Sequence, residues 1–215
     1  MPPEEWFRKT SWSREDEREF FMHLREVRGA AKNAQLLRLQ AYSLARTRQE
    51  RWIRAALGLL QLLFDRYPDP SELASAHLLA AQCHDALGEV EPALSHFRAS
   101  LRAQSAEPGF DPGSAFELAW FVASRKLGAL YDEALRELER VRPDSPLQRF
   151  KAAAVRAFVA ESRGESRAAA EHAREALAAA AKKPSRFRIR GRQGLVGPEY
   201  QPVVEQLRLL GGTPL

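Results

Sequence analysis

His77, Cys83 and His84 are the side chains best suited to metal binding or nucleophilic chemistry, if they converge. On a helix, His77 and His84 share a face but lie about 10 Å apart along the axis, and zinc needs three or four converging ligands. Cys83 precedes His84 by one residue, yet adjacent helical residues point about 100° apart, so the pair makes no thiol–imidazole couple. The expectation is two packed or half-exposed histidines and a small buried thiol. Glu15, Asp16, Glu17 and Glu19 open a helix, where carboxylates meet the positive end of the dipole, and they do not read as an acid–base pair. The segment GRQGLVG (191–197) lacks the lysine and the helix-opening context of a phosphate loop. These residue types therefore predict no enzyme, no cofactor and no metal site.

Two further features could bind rather than react. Phe116 and Trp120 are four residues apart and share a helix face close to Lys126, with Phe121 beside them. Such a face is either an exposed anchor for a partner or a tryptophan buried in an inter-helix seam. In SRFRIRGR (185–192), Arg186, Arg188, Arg190 and Arg192 alternate with Phe187 and Ile189. An extended chain would project the arginines from one side as an anion or nucleic-acid contact. The alternative is a connector that packs Phe187 and Ile189 and leaves the arginines in water. That second reading is the expectation, because four arginines with one aromatic make a small footprint.

The elements that must position these residues are helices. Ser13 is a side-chain N-cap with Asp16 three residues on, opening a helix whose apolar face is Phe20, Phe21, Leu24 and Val27 and which Gly29 ends. Helices are predicted over 34–46, 52–64, 71–87, 91–101, 114–126, 131–141, 147–162 and 165–181, with 198–210 as the last. Gly88, Gly164 and the prolines at 68, 70, 143 and 146 punctuate them, and 105–113 reads as a longer loop.

Paired helices with short turns call for a repeat search. Ala56, Ala93, Ala134 and Ala169 fall 37, 41 and 35 residues apart, each near the start of a second helix where two helices touch. Twelve residues before each come Leu44, Ala81, Val122 and Ala157. Four residues after each come Leu60, Phe97, Leu138 and Ala173. The unit HLLAAQCHDALGEVEPALSHFRASL, with Ala81, Gly88, Ala93 and Phe97, resembles the tetratricopeptide repeat. Ser100 takes the small position after Phe97, the first and third units lack the turn glycine at its usual place, and unit three carries an insertion. The opening WFRKTSW and the closing GLVG are also similar to small bacterial proteins of this repeat class.

The resemblance implies an all-α fold: a right-handed superhelical array of about four antiparallel helix pairs over 34–181. A capping segment and helix would occupy 1–33, and a basic connector with a capping helix 182–215. Such arrays grip a peptide or partner helix in a concave groove made by the first helix of each pair. That register assigns to the groove Arg38, Tyr42 and Arg48, then Gln82 and Asp85, then Phe116, Trp120 and Lys126, and finally Lys151 and Phe158. The inward slots Ala41, Ala45, Ala119 and Ala123 leave no ring of lysines and asparagines, so a clamp for a C-terminal carboxylate is not expected.

The composition is that of a folded chain, with 45% hydrophobic and 28% charged residues. The segment from Lys182 onward carries the whole net charge of +5. No apolar run approaches the roughly 20 residues of a membrane span, and MPPEEWFRKT has no secretory pattern. A single cysteine makes the cytoplasm the expected compartment, and the arginine- and alanine-rich coding bias points to a bacterium. The leading functional expectation is a non-enzymatic scaffold that binds another protein or peptide, with no membrane and no nucleic-acid partner. Two alternatives stand beside it: an immunity-type inhibitor of a bacterial toxin, and nucleic-acid binding through the basic C-terminal segment. The sequence leaves the oligomeric state open.

Overall fold

The computed structural model describes residues 6–107, 111–182 and 194–212. Its elements are α1 (Arg14–Glu26), α2 (Ala30–Ala45), α3 (Glu50–Arg66), α4 (Pro70–Ala86), α5 (Val90–Ala106), α6 (Ser114–Ser124), α7 (Tyr131–Glu139), α8 (Pro146–Ser162), α9 (Ser166–Ala180) and α10 (Gln201–Gly211). Single 3₁₀ turns, Gly128–Leu130 and Pro198–Tyr200, lead into α7 and α10. No strand occurs among the described residues. The fold is all-α, and its helices pack against their chain neighbours: α2 on α3, α4 on α5, α8 on α9, and α10 on α9. The chain forms two compact units, residues 1–114 and 115–215.

Helix boundaries follow local chemistry. The Ser13 hydroxyl accepts the Asp16 N–H, and the Asp16 carboxylate accepts the Ser13 N–H at 2.9 Å, a complete capping box. That backbone N–H, with Lys9 and the hydroxyls of Ser13 and Ser11, holds the Asp16 carboxyl well below the usual range, against the opposing effect of burial. Asp69 caps α4 and Ser145 caps α8, each followed by proline in the first turn, where its missing N–H costs nothing.

The turns inside the pairs reveal a shared device. Gly88 and Gly164 have φ of 76° and 75°, and the next residue's N–H returns to a carbonyl five residues back, Glu89 to His84 and Glu165 to Ala160, both at 2.9 Å. In the third pair Lys126 takes the left-handed conformation, φ 54°, and Leu127 N–H closes the same bond to Val122. Arg48 takes the same conformation at φ 56° in the first pair, where the following Gln49 N–H goes instead to the Thr47 hydroxyl at 3.3 Å. The glycine missing from the first and third pairs is thus replaced by a long cationic residue in a backbone conformation that costs a side chain about 1 kcal/mol.

The alanine register is the helix–helix seam. Ala56, Ala93 and Ala134 are wholly buried, Ala169 nearly so, and the residues twelve before and four after each are buried too. In the first unit, Phe20, Leu37, Leu44, Leu60 and Leu63 form the centre of the core. Residues 6–12 run across α2 and are fixed there by Gln40. This fully buried side chain accepts the Lys9 N–H at 3.0 Å and donates to the Lys9 carbonyl at 2.8 Å, while Trp6, Phe7 and Trp12 cover the core. Ser100 is buried and donates to the Ala74 carbonyl, so its contact with Ser114 Oγ at 2.7 Å is donated by Ser114.

The second unit centres on Phe150, Ala153, Ala154 and Ala157 of α8, Ala173 and Ala176 of α9, and Val204 and Leu207 of α10. The return into α10 is held at Gly194, whose carbonyl accepts the Leu147 N–H at 2.7 Å. A Cβ there would lie 2.7 Å from Ser145 Cβ, and φ is 73°, so only glycine fits.

Candidate functional site

The histidines pack with one another. His77 of α4 stacks on Phe64 with ring centroids 4.2 Å apart, and its Nδ1 lies 3.0 Å from Nδ1 of His96 on α5, so one ring donates and the other accepts. His84 also stacks with His96, ring centroids 5.3 Å apart, and meets Glu89 at 2.6 Å. Burial, then the neighbouring His96 and Arg102, push the His77 imidazole down to about 4; burial and His84 lower that of His96. His96 is absent from the sequence reading because it lies on a different helix, in a partnership no short motif encodes. No cluster of three or more His, Cys, Asp or Glu among the described residues is arranged to hold a metal ion. Cys83 is buried, and burial pushes its thiol up to about 12.

The groove positions divide between the two units. In the first, Arg38 is ion-paired with Glu72 and half-buried. Tyr42 is an exposed aromatic, with the Arg46 guanidinium 5.7 Å from its ring centre. Gln82 is exposed and Asp85 half-buried. Arg48 lies in the turn after α2.

In the second unit the expected aromatic face resolves into two roles. Phe116 is buried, 2% exposed, and offers no surface to a partner. Lys151 is buried as well. Its Nζ donates to Glu117 Oε1 at 2.6 Å and sits 5.7 Å from the Trp120 ring and 5.6 Å from that of Tyr200. Both assignments to an open groove are corrected. Residues 116 and 151 point into packed seams, and the lysine is desolvated against a carboxylate and two aromatic faces. Trp120 is shared between seam and surface. One side meets Phe150 and Tyr200, at 6.0 and 5.3 Å between centroids, so the turn before α10 covers part of this face.

The remaining side of Trp120 opens into a cleft of about 390 Å³. Its walls are α6 (Trp120, Ala123, Ser124), the turn residue Lys126, Tyr131, α8 (Phe158, Glu161, Ser162) and α10 (Val203, Gln206). Trp120, Lys126 and Phe158 of the expected set therefore do converge. Tyr131, Val203 and Gln206 were missed, the last two because α10 looked like a cap rather than a wall. Lys126 is exposed and has no ion pair among the described residues, while Glu161 supplies the one carboxylate. The lining is an apolar floor with charges at its edge, a volume in the range of side-chain and small-ligand pockets, and it holds no nucleophile–base pair. Arg186, Arg188, Arg190 and Arg192 lie outside the described residues. No helix among the described residues is long and apolar enough to cross a membrane.

No protein-family model and no curated protein matches the chain. Among solved structures it is similar to the crystal structure of BtubC (BKLC) from P. vanneervenii, with a TM-score of 0.50 and 21% identity over 92% of this chain and 84% of that one. That likeness establishes a shared helical fold.

Proposed function

We propose that this protein is a non-enzymatic interaction scaffold built from tetratricopeptide-type helix pairs, which binds a segment of another protein in the cleft beside Trp120. The observation that carries the proposal is the cleft itself: an exposed aromatic edge with Phe158 and Val203 as floor and an unpaired cation at the rim. A partner segment that fits presents one large apolar side chain to the floor and an acidic neighbour to Lys126. The backbone of Lys126 supports the same reading. A glycine would occupy that left-handed position without strain, as at Gly88 and Gly164, so a lysine there is held at a cost in stability. The single, inert Cys83 fits a cytoplasmic setting, which belongs to this proposal.

The test uses a variant that blocks the mouth and spares the core: Lys126→Glu with Gln206→Trp, both at exposed positions. Affinity capture from native lysate, with and without nuclease, is read by mass spectrometry. The expected result is one protein held by the wild type, lost by the variant and indifferent to nuclease. Equal retention by a variant with native circular dichroism sinks the assignment of the cleft, and recovery that disappears with nuclease sinks the protein-binding reading.

A further inference from the structure

A second cleft, in the first unit, has a different chemistry. It measures about 390 Å³ and lies between residues 8–10 and the C-terminal half of α2, lined by Arg8, Thr10, Leu39, Tyr42, Ser43, Arg46 and Thr47. The lining contains two guanidinium groups and no carboxylate. Neither Arg8 nor Arg46 has an ion pair among the described residues, whereas the neighbouring cations Lys9 and Arg38 are both neutralised. Each free guanidinium is steadied by an aromatic ring instead: Arg8 lies 5.6 Å from the centre of Phe7, and Arg46 lies 5.7 Å from that of Tyr42. Arg8 and Thr10 are placed by the Gln40 clamp on Lys9 between them, so the cationic wall is built by the fold and not by a loose terminus.

The hydroxyls divide in an informative way. Ser43 donates to the Leu39 carbonyl and Thr47 to the Leu44 carbonyl, so their protons are committed within the helix. The Thr10 and Tyr42 hydroxyls remain for a ligand, alongside the forked N–H groups of both arginines. The charged groups of the lining are donors only, and the Tyr42 ring with Leu39 forms an apolar side. Two unneutralised guanidinium groups match a doubly charged, oxygen-rich anion better than a single carboxylate.

We propose that this cleft binds a phosphate monoester, with Arg8 and Arg46 on the phosphoryl oxygens and the organic body of the ester against Tyr42 and Leu39. The site is distinct from the Trp120 cleft, and its ligand does not depend on the reading given to that cleft.

The test is calorimetric titration of the full-length protein with phenyl phosphate, inorganic phosphate, phenol and a phosphotyrosine pentapeptide, at constant ionic strength. Phenyl phosphate should bind saturably and more tightly than inorganic phosphate, with phenol silent. Arg8→Gln and Arg46→Gln should each weaken it about tenfold, the usual scale for losing one charge-assisted contact. Binding should also weaken between pH 7 and pH 5, as the dianionic ester takes up a proton near pH 6 and becomes a monoanion. Tighter binding of the peptide than of phenyl phosphate identifies a phosphorylated protein segment as the source, and the reverse identifies a free ester. Absence of saturation at 10 mM of every phosphate probe overturns the proposal, as does unchanged affinity in the Arg8→Gln, Arg46→Gln double variant with native circular dichroism.

Discussion

Replacing Glu117 by alanine leaves the Lys151 ammonium buried without its counter-charge. The Lys151 side chain is only 5% exposed and the Glu117 side chain 26%, with 2.6 Å between Nζ and Oε1. Removing one member of a buried pair costs about 3–5 kcal/mol, because the survivor is desolvated and unpaired. Water reaches Glu117, and the Trp120 and Tyr200 rings offer Lys151 some compensation, which places the expected loss near the lower end, about 3 kcal/mol. Removing both charges together, as Glu117→Leu with Lys151→Met, exchanges the pair for apolar contacts and should lie within about 1 kcal/mol of the wild type. Urea denaturation followed by circular dichroism, completed as a double-mutant cycle, measures all three variants. Should the second unit unfold separately from the first, its own transition is the one to read. A loss under about 1 kcal/mol for Glu117→Ala, or a double variant as unstable as the single, would refute a desolvated ammonium at this seam.

Three further outcomes are expected. His77 is neutral when folded and titrates near 4, against 6.5 for the free side chain, so below pH 6.5 the unfolded chain binds more protons. Stability should therefore be full above pH 6.5 and fall as pH drops to about 4. Screening of a half-buried ring limits the loss to about 1–2 kcal/mol, and His77→Phe should flatten that part of a pH–stability curve. Gly194→Ala places a Cβ against Ser145 at a positive φ and should cost about 1–3 kcal/mol in thermal or urea unfolding; a silent substitution would mean the return into α10 is not held there. Cys83, with a thiol near 12, should resist a disulfide reagent at pH 8 in the native state and react promptly in urea.

The helices were legible because their signals are local. Ser13 and Asp16 fall three residues apart, prolines stand at the first turns of α4 and α8, and the alanines of the seam recur at a fixed place in each pair. Ends were less so. Helix α5 runs on to Ala106 where a loop was expected from Ser105, since no residue before the prolines stops it. What the sequence hid is what depends on residues far apart in the chain. Gln40 looks like a surface amide until Lys9 is laid beside it. Lys151 falls at a groove position by helical register, yet Glu117, 34 residues earlier, draws it inside. Helical register assigns Arg48 and Lys126 to the groove because the left-handed turn, usually marked by glycine, carries no glycine in those two pairs.

The Gln40 clamp also orders events in time. Lys9 and its anchoring amide are separated by 31 positions, so on the ribosome the stretch bearing Trp6, Phe7 and Trp12 emerges well before α2 exists to receive it. Those three rings have no native partner until the helix forms and two hydrogen bonds dock them. Because Arg8 and Thr10 travel with the same stretch, the cationic cleft cannot be assembled before α2 has formed.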